Sequence, residues 1–313
     1  MQNDLRERIV ACAKRFEADI VCFGGIGRFG GTRVREIFPE TKTVICLAFR
    51  VLRGVFRGIE EGTTYYQYCT NGVEVIEETV MPRALLRVCA LLEDEGFLAL
   101  PQRRHQCVME AEEGHNFEMH YEEIYHGRKT EPQLEFEDAA VRCGLGEKSF
   151  YGTVLTPQFG PMQRWCFVLT DAVLEETPLP EPRLCDGCRD CVRACPGHAI
   201  SDCGVRSVWQ CGPYYRGARM AKNPFMPPDA FPDLPNRKEI MEGKAELTPE
   251  ESIRVMEGCI YYPPIKEGYA SSICGKACDM ACYMHLEKQG KLNRSFHEPF
   301  RRRGEWFLEM PEE

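Results

Sequence analysis

The sequence predicts a mixed α/β domain over residues 1–176, a cysteine-rich module over residues 183–285 and a carboxy-terminal tail over residues 286–313. Two observations predict this division. Helical and buried-strand patterns alternate in the first part, as they do in α/β domains. Ten of the eighteen cysteines fall between Cys185 and Cys282, directly after the proline-rich segment ETPLPEPR, whose composition is typical of a linker.

The composition narrows the partner classes and the location. A formal net charge of −9 argues against a nucleic acid or an anionic membrane as the main partner, because both attract clustered lysine and arginine. The chain has no apolar run of about 20 residues, the length that spans a bilayer. The amino-terminal stretch MQNDLRERIVACAKRF has neither the apolar core of a secretory signal nor a twin-arginine motif. These features predict a cytoplasmic protein without a membrane partner.

The first part of the chain alternates between helical and strand patterns. Residues 4–18 carry apolar residues at helical spacing, which predicts an amphipathic helix. The runs DIVCFGGIG and KTVICLAFRV predict two buried strands, and FLALP predicts a shorter one. Between them, residues 73–96 predict a long helix that Gly96 ends and that Pro82 kinks.

Residues 102–133 interrupt this alternation with many charges and four histidines. A connection of this length in a compact domain is usually functional or mobile. The histidine spacings match no standard set of metal ligands, so ordinary loop histidines are the expectation. Beyond this segment the sequence predicts a helix over residues 134–143 and two strands around a glycine- and proline-bearing turn. In the module, Thr248 and Pro249 predict the start of a short helix.

The run CDGCRDCVRACP carries the most specific signal in the chain. It places Cys185, Cys188, Cys191 and Cys195 before Pro196, which is the bacterial ferredoxin pattern. The first three thiolates can each reach one iron of a cubane, and the fourth ligates a second cluster. A zinc site would instead close on two pairs of ligands. The run therefore predicts two 4Fe–4S clusters.

Four further cysteines are needed to complete two cubanes. Cys274, Cys278 and Cys282 follow one another at three-residue gaps, and Cys259 precedes them. We expect the first cluster to bind Cys185, Cys188, Cys191 and Cys282, and the second to bind Cys195, Cys259, Cys274 and Cys278. Cys203 and Cys211 are left over, and either could replace Cys259. The eight cysteines before residue 183 lie mostly in apolar contexts, where cysteine behaves as a small buried hydrophobe.

The order of these cysteines, with a single one ahead of the last group, resembles that of epoxyqueuosine reductases and reductive dehalogenases. These families are corrinoid-dependent iron–sulfur reductases. The first part of the chain agrees, because AAVRCGLGEKSFYGTVLTPQFGPMQRWCFVLTD is similar to a dehalogenase segment with GLGE, TPxFGP, an arginine and TD. The segment EIFPETKTVICLAF resembles the one that precedes the first central strand of the corrinoid domain.

The resemblance implies a nitroreductase-like α/β domain that holds cobalamin, followed by a bacterial-ferredoxin-like module that feeds electrons to it. A D-x-H-x-x-G motif is absent from the sequence, but these families hold the corrinoid base-off without that histidine. The resemblance is strongest around the glycines of GLGE and the following turn. On this basis we expect cobalamin to contact five residues, namely Gly144, Gly146, Thr156, Gly160 and Pro161.

The sequence also departs from these families. Epoxyqueuosine reductases carry a catalytic aspartate where this chain has Thr130, and Glu131 is the adjacent carboxylate. Dehalogenases use a tyrosine over the cobalt, which makes Tyr121 and Tyr125 candidate proton donors together with Glu131. Further candidates are Tyr65, Tyr66 and Tyr68. Each of these residues could equally be an ordinary packing or surface residue.

The resemblance implies an oxidoreductase that removes a leaving group or an oxygen atom from a small molecule. An external low-potential donor of ferredoxin or flavodoxin type would supply the electrons. The acidic charge and the lack of a helical-repeat tail argue against a tRNA substrate. The alternative is a non-catalytic electron-transfer or corrinoid-reactivating protein of ferredoxin type.

Overall fold

The computed structural model describes residues 2–103, 132–259 and 272–300. Its main sheet has four strands in the order β1-β2-β6-β3, and every neighbouring pair is antiparallel. Two shorter strands, β4 and β5, pair separately. The expected mixture of helix and sheet is confirmed, but the antiparallel pairing makes the arrangement α+β in the strict sense.

The strands of the structure are β1 Ile20–Gly25, β2 Thr43–Arg50, β3 Ala99–Gln102, β4 Glu147–Lys148, β5 Val154–Leu155 and β6 Gln163–Thr170. The helices of the first part are α1 Gln2–Arg15, α2 Val34–Ile37, α3 Arg57–Glu61, α4 Tyr66–Cys69, α5 Met81–Asp94 and α6 Phe136–Arg142. Those of the second part are α7 Asp190–Ala194, α8 Val208–Tyr215, α9 Arg237–Glu242, α10 Pro249–Gly258 and α11 Ala277–Lys288.

Both faces of the main sheet are buried. Successive residues of a strand point to opposite faces, so Ile45 and Leu47 of β2 pack with α1 and α5, while Val44 and Cys46 pack with α6. This explains why β2 has a continuous apolar sequence instead of an alternating one. The predicted strands at 19–27 and 42–51 and the predicted helix at 4–18 are confirmed.

The long helix predicted over residues 73–96 has two parts. A π-helical segment spans Thr70–Val80, and α5 continues from Met81. Pro82 lies in the first turn of α5, where its missing amide hydrogen is not needed. The break therefore precedes the proline instead of following it. Gly96, with a φ of 84°, lies just beyond the helix as expected.

The regular elements of the second part are short helices joined by turns and coil, apart from an isolated bridge between Ile200 and Arg206. Helix α7 packs on α11, and α8 packs on α10. Helix α10 begins with the predicted cap, since the Thr248 hydroxyl accepts the Glu251 N–H and the Glu251 carboxylate accepts the Thr248 N–H. The described tail contacts the first part, because the ring of Phe300 packs against those of Phe56 and Tyr283.

Candidate active site and metal-binding cysteines

The first predicted cluster group is assembled between the loop before α7, α7 itself and α11. Cys185 and Cys188 precede or lie beside α7, Cys191 lies within it, and Cys282 lies on α11. Burial and the thiols of Cys188 and Cys185 raise the pKa of Cys191 to about 11. Burial, Asp279 and the thiols of Cys191, Cys185 and Cys188 raise the pKa of Cys282. The four thiols therefore lie within short electrostatic range of one another.

The second group forms around α8 and the start of α11. Burial raises the pKa of Cys278, and the thiols of Cys274 and Cys211 raise it further. Burial also raises the pKa of Cys211, with a contribution from the thiol of Cys195. Cys211 shares an apolar cluster with Cys195 and Cys278, and Cys191 and Cys282 of the first group border the same cluster. The structure thus brings Cys195, Cys211, Cys274 and Cys278 together.

Cys259 lies against α8, with its Sγ 4.0 Å from the Pro213 carbonyl oxygen. It caps the carboxy-terminal end of α10 and is buried in a core that includes Met226 and Phe231. Burial raises the pKa of its thiol to about 12. The expected role of Cys259 as a ligand of the second cluster stays a prediction, and Cys211 is the alternative that shares an apolar cluster with Cys195 and Cys278. Cys203 is exposed, and its thiol lies 3.1 Å from the Ser201 hydroxyl.

Backbone amides reach two of the predicted ligand sulfurs. The N–H of Phe150 lies 3.2 Å from Cys185 Sγ, and the N–H of Ala199 lies 3.2 Å from Cys195 Sγ. Such hydrogen bonds stabilise thiolate charge and tune the reduction potential of a bound cluster. Phe150 follows β4, so the first part of the chain contributes directly to the surroundings of Cys185.

His285 adds a further polar contact beside the first group. Its Nε2 lies 2.9 Å from a carboxylate oxygen of Asp186, and this hydrogen bond holds the pKa of Asp186 well below its usual range. The side chains of Asp186, Cys188 and His285 place three ligand atoms within 4.8 Å of one another. Since Cys188 belongs to the ferredoxin-like run, we assign it to the cluster and treat His285 and Asp186 as its surroundings.

A cavity of about 590 Å³ lies between the first part of the chain and the cysteine module. One wall comes from the sheet and the segments around it, including Val51, Phe56, Met162 and Trp165. The other wall comes from the module, with Arg206, Val208, Lys276 and Asp279. The volume is within the range of ligand sites in proteins. Lys276 and Asp279 flank Cys278 in sequence, so the cavity adjoins the second cysteine group.

Tyr68 lines this cavity and is paired with two charged residues. Arg164 Nη2 donates a hydrogen bond of 3.0 Å to the Tyr68 hydroxyl, and Arg164 Nη1 lies 3.1 Å from Glu77 Oε1. Burial raises the pKa of Tyr68, while the cations Arg164 and Lys276 act in the opposite direction. The phenol is therefore neutral at neutral pH, and the two cations stabilise the phenolate that remains if it gives up its proton.

A second tyrosine joins the cavity to the cysteine module. The Tyr151 hydroxyl donates a hydrogen bond of 2.7 Å to Asp279 Oδ1. Asp279 also raises the pKa of the neighbouring Lys276, which keeps that ammonium charged. These contacts fix three polar groups on the side of the cavity that faces Cys278.

The residues predicted to contact cobalamin have different surroundings. Pro161 lines the cavity. A side chain at Gly146 would instead meet the carbonyl oxygen of Leu155 at 2.1 Å, so this glycine allows β4 and β5 to approach. Gly160 faces Leu286 and other apolar side chains.

Gly144 and Thr156 contact other parts of the chain. Gly144 faces the carbonyl of Pro178, and the Thr156 hydroxyl donates to Gln163 Oε1 at 3.1 Å. The close approaches that these residues permit are to other parts of the protein. Their expected contact with cobalamin stays a prediction.

Sequence reasoning named some of these site residues and missed others. Tyr68 was one of six candidate tyrosines and carboxylates, and Arg164 is the arginine of the dehalogenase-like segment. Tyr121, Tyr125 and Glu131 lie outside the described residues, as does Thr130. Lys276 and Asp279 were missed, although their positions between predicted cluster ligands were a signal that they adjoin the site.

Comparison with curated proteins finds short but clear similarity to reductive dehalogenases. A stretch of 66 residues is 38% identical to the tetrachloroethene reductive dehalogenase of Sulfurospirillum multivorans, and covers 20% of this chain and 13% of that protein. A stretch of 68 residues is 43% identical to the enzyme of Desulfitobacterium hafniense, with 20% and 12% coverage. The matched region is thus about an eighth of the length of these relatives. No family model matches the chain.

Solved structures give a longer match. A reductive dehalogenase, described with a mechanism for B12-dependent dehalogenation, superposes with a TM-score of 0.50 at 16% identity and covers 80% of this chain and 35% of its own. The predicted resemblance to reductive dehalogenases is confirmed. Epoxyqueuosine reductase from Streptococcus thermophilus is also among the structural neighbours, with a TM-score of 0.46, 14% identity and coverage of 82% and 80%.

Two observations concern the expected partners and location of the protein. One epoxyqueuosine reductase among the neighbours is a complex with a tRNA stem loop, with a TM-score of 0.47 and 12% identity over 93% of this chain and 84% of its own. The expectation against a tRNA partner stays a prediction. In the described part of the chain, no helix combines the length and the apolar character needed to cross a bilayer.

Proposed function

We propose that this chain is a reductase that removes a leaving group or an oxygen atom from a small molecule bound in the Tyr68 cavity. Electrons enter from an external donor of ferredoxin or flavodoxin type and pass through two 4Fe–4S clusters. The first cluster is held by Cys185, Cys188, Cys191 and Cys282. The second is held by Cys195, Cys211, Cys274 and Cys278. The predicted domain limits and the cytoplasmic location remain predictions.

Cobalamin is the second cofactor of this proposal. When bound, it supplies a strongly reducing, nucleophilic cobalt. The cavity suits such a group in its polarity, because apolar side chains such as Phe56 and Trp165 form one wall and the polar side chains of Arg206 and Lys276 lie on the other. A corrin ring has the same division, with a flat centre and an amide-bearing rim. The position of the cavity beside Cys278 also suits a cofactor that receives electrons from the second cluster.

One observation carries the enzyme proposal, namely the Arg164–Tyr68 hydrogen bond of 3.0 Å inside the cavity. A two-electron reduction that replaces a leaving group with hydrogen needs one proton. Tyr68 can give that proton from its hydroxyl, and Arg164 and Lys276 then stabilise the phenolate. Glu77 holds the guanidinium in place through its 3.1 Å ion pair. Two of these groups come from elements far apart in sequence, so the arrangement depends on the fold.

The competing proposal is an electron carrier without catalysis. A carrier needs the two cysteine groups but has no use for a cavity with a hydrogen-bonded, cation-flanked phenol. The Tyr68–Arg164 pair therefore favours the enzyme.

The test is cobalamin uptake by protein produced without oxygen in cells supplied with cobalamin. We expect about one corrinoid per chain by its absorbance bands, together with a full iron content. Thr153 lines the cavity, so Thr153→Trp should block uptake without loss of iron. Val173→Trp at an exposed position is the matched control. Full iron with no corrinoid in the unchanged protein would reject the cobalamin-dependent enzyme and favour the carrier.

A further inference from the structure

Four cationic side chains line the cavity, and two of them have a hydrogen-bonded or ion-pair partner. Arg164 is engaged by Tyr68 and Glu77. Lys148 Nζ lies 3.1 Å from a carboxylate oxygen of Asp138. These partners satisfy the two cations of the first part of the chain, so neither is available to hold a ligand without losing a contact.

Lys276 lies on the module side of the cavity. Asp279 is its dominant electrostatic neighbour. The same carboxylate accepts the hydrogen bond from the Tyr151 hydroxyl. Asp279 therefore supplies the main negative charge that acts on Lys276.

Arg206 lacks such an ion pair. Among the residues that the structure describes, it has no carboxylate within ion-pair distance and no hydrogen bond from its guanidinium. Its largest favourable electrostatic neighbours are the thiols of Cys211 and Cys278, ahead of Asp279 and Glu137. An arginine side chain cannot be neutralised in a protein, so this charge lines the cavity beside the second cysteine group and without a carboxylate partner.

The backbone holds Arg206 in a defined place. Arg206 pairs with Ile200 in an antiparallel bridge, and Ser207, the next residue, caps α8 through its hydroxyl. The side chain therefore starts from a fixed backbone at the cavity wall. A guanidinium presented in this way can form two parallel hydrogen bonds to a carboxylate or a phosphate.

We propose that Arg206 is an anion-binding subsite of the cavity, which takes a carboxylate or phosphate oxyanion. The proposal rests on the proposed function, because the anion belongs either to the substrate or to the phosphate of cobalamin. In the first case the enzyme acts on small carboxylic acids. In the second case Arg206 anchors the nucleotide side of the cofactor.

The first experiment separates charge from shape with benzoate and benzamide as probes. Binding to the cluster-containing protein is followed by the fluorescence of Trp165, which lines the cavity. We expect benzoate to bind more tightly than benzamide, and Arg206→Gln to remove about tenfold of that preference, as lost charged hydrogen bonds do. Arg206→Lys should keep part of it. Arg254→Gln, the same change on the module surface, should keep all of it.

The second experiment compares cobalamin with cobinamide, which lacks the nucleotide phosphate. If the anion is the cofactor phosphate, Arg206→Gln weakens cobalamin uptake about tenfold and leaves cobinamide uptake unchanged. An effect on either pair of probes supports the subsite and identifies its source. If neither preference changes in Arg206→Gln, or if the unchanged protein prefers no anion in either pair, the subsite does not exist.

These outcomes are distinct from failure of the proposed function. A protein that binds neither cobalamin nor cobinamide but loses benzoate binding in Arg206→Gln has the subsite without the cofactor. A protein that binds both corrinoids equally well with and without Arg206, and shows no benzoate preference, has the cofactor without the subsite.

Discussion

The carboxylate of Glu147 accepts a hydrogen bond of 2.7 Å from the backbone N–H of Cys185, the first predicted cluster ligand. The same carboxylate accepts the N–H groups of Arg183 and Leu184 at 2.6 and 3.0 Å. Glu147 belongs to β4 and is buried. One side chain of the first part of the chain thus holds the backbone at the beginning of the cysteine module.

We predict that Glu147→Gln raises the reduction potential of one cluster and leaves the other unchanged. The substitution removes a negative charge beside the Cys185 backbone, and a nearby anion disfavours reduction. Iron content should stay full. The measurement is an anaerobic redox titration followed by electron paramagnetic resonance.

Glu181→Gln is the control for Glu147, because the Glu181 carboxylate is exposed and pairs with the Arg183 side chain. It should leave both potentials unchanged. Equal potentials in Glu147→Gln and the unchanged protein would show that Glu147 has no influence on the first cluster.

Tyr68→Phe should lower turnover by about 10²–10⁴-fold, the usual contribution of a positioned proton donor. Reduction of a bromobenzoate with titanium(III) as electron source measures it. Iron content and corrinoid uptake should not change, because the ring remains in place. Tyr66→Phe, at a more exposed position, is the control.

The pH dependence gives a second readout for Tyr68. Burial raises the pKa of this phenol above its ordinary value, and the donor is the protonated form. Turnover should therefore persist through neutral pH and fall as pH rises through that raised pKa. If turnover instead falls in the neutral pH range, and the Tyr68→Phe variant shows the same fall, another group donates the proton.

The buried ion pair of Arg53 and Glu60 predicts a stability effect away from the chemistry. Two hydrogen bonds of 2.7 and 2.8 Å join them, and the Glu60 side chain is fully buried. Glu60→Gln should lower the free energy of unfolding by about 3–5 kcal/mol, because it leaves the arginine charge uncompensated. Denaturant unfolding measures this. Glu61→Gln, in a longer and more exposed contact, should change it by less than about 1 kcal/mol.

Local sequence patterns predicted much of the fold. The apolar run of β2, the stripe of α1 and the cap of α10 each depend on neighbouring residues, so each was visible in the sequence. The π-helical segment before Pro82 was not visible in the sequence, because a proline indicates that a helix is disturbed but not which helical form results. The antiparallel sheet order also depends on contacts between distant strands.

The candidate site divides in the same way. Cys185, Cys188 and Cys191 lie in one short run, and their spacing predicts that they bind a cluster. Whether Cys211 or Cys259 is the fourth ligand of the second cluster depends on how α8 and α10 pack. The spacing of an isolated cysteine in the sequence does not reveal that packing. Tyr68 and Arg164 meet across 96 positions of sequence, which no local pattern reveals.

The most direct test of the account is the iron content of Cys211→Ser and Cys259→Ser, each purified without oxygen. The unchanged protein should hold about eight irons per chain. We expect Cys211→Ser to lose about half of them, because loss of a thiolate ligand usually costs the cubane, and Cys259→Ser to lose none. Half the iron lost in Cys259→Ser with none lost in Cys211→Ser would contradict the ligand set on which the proposed electron path depends.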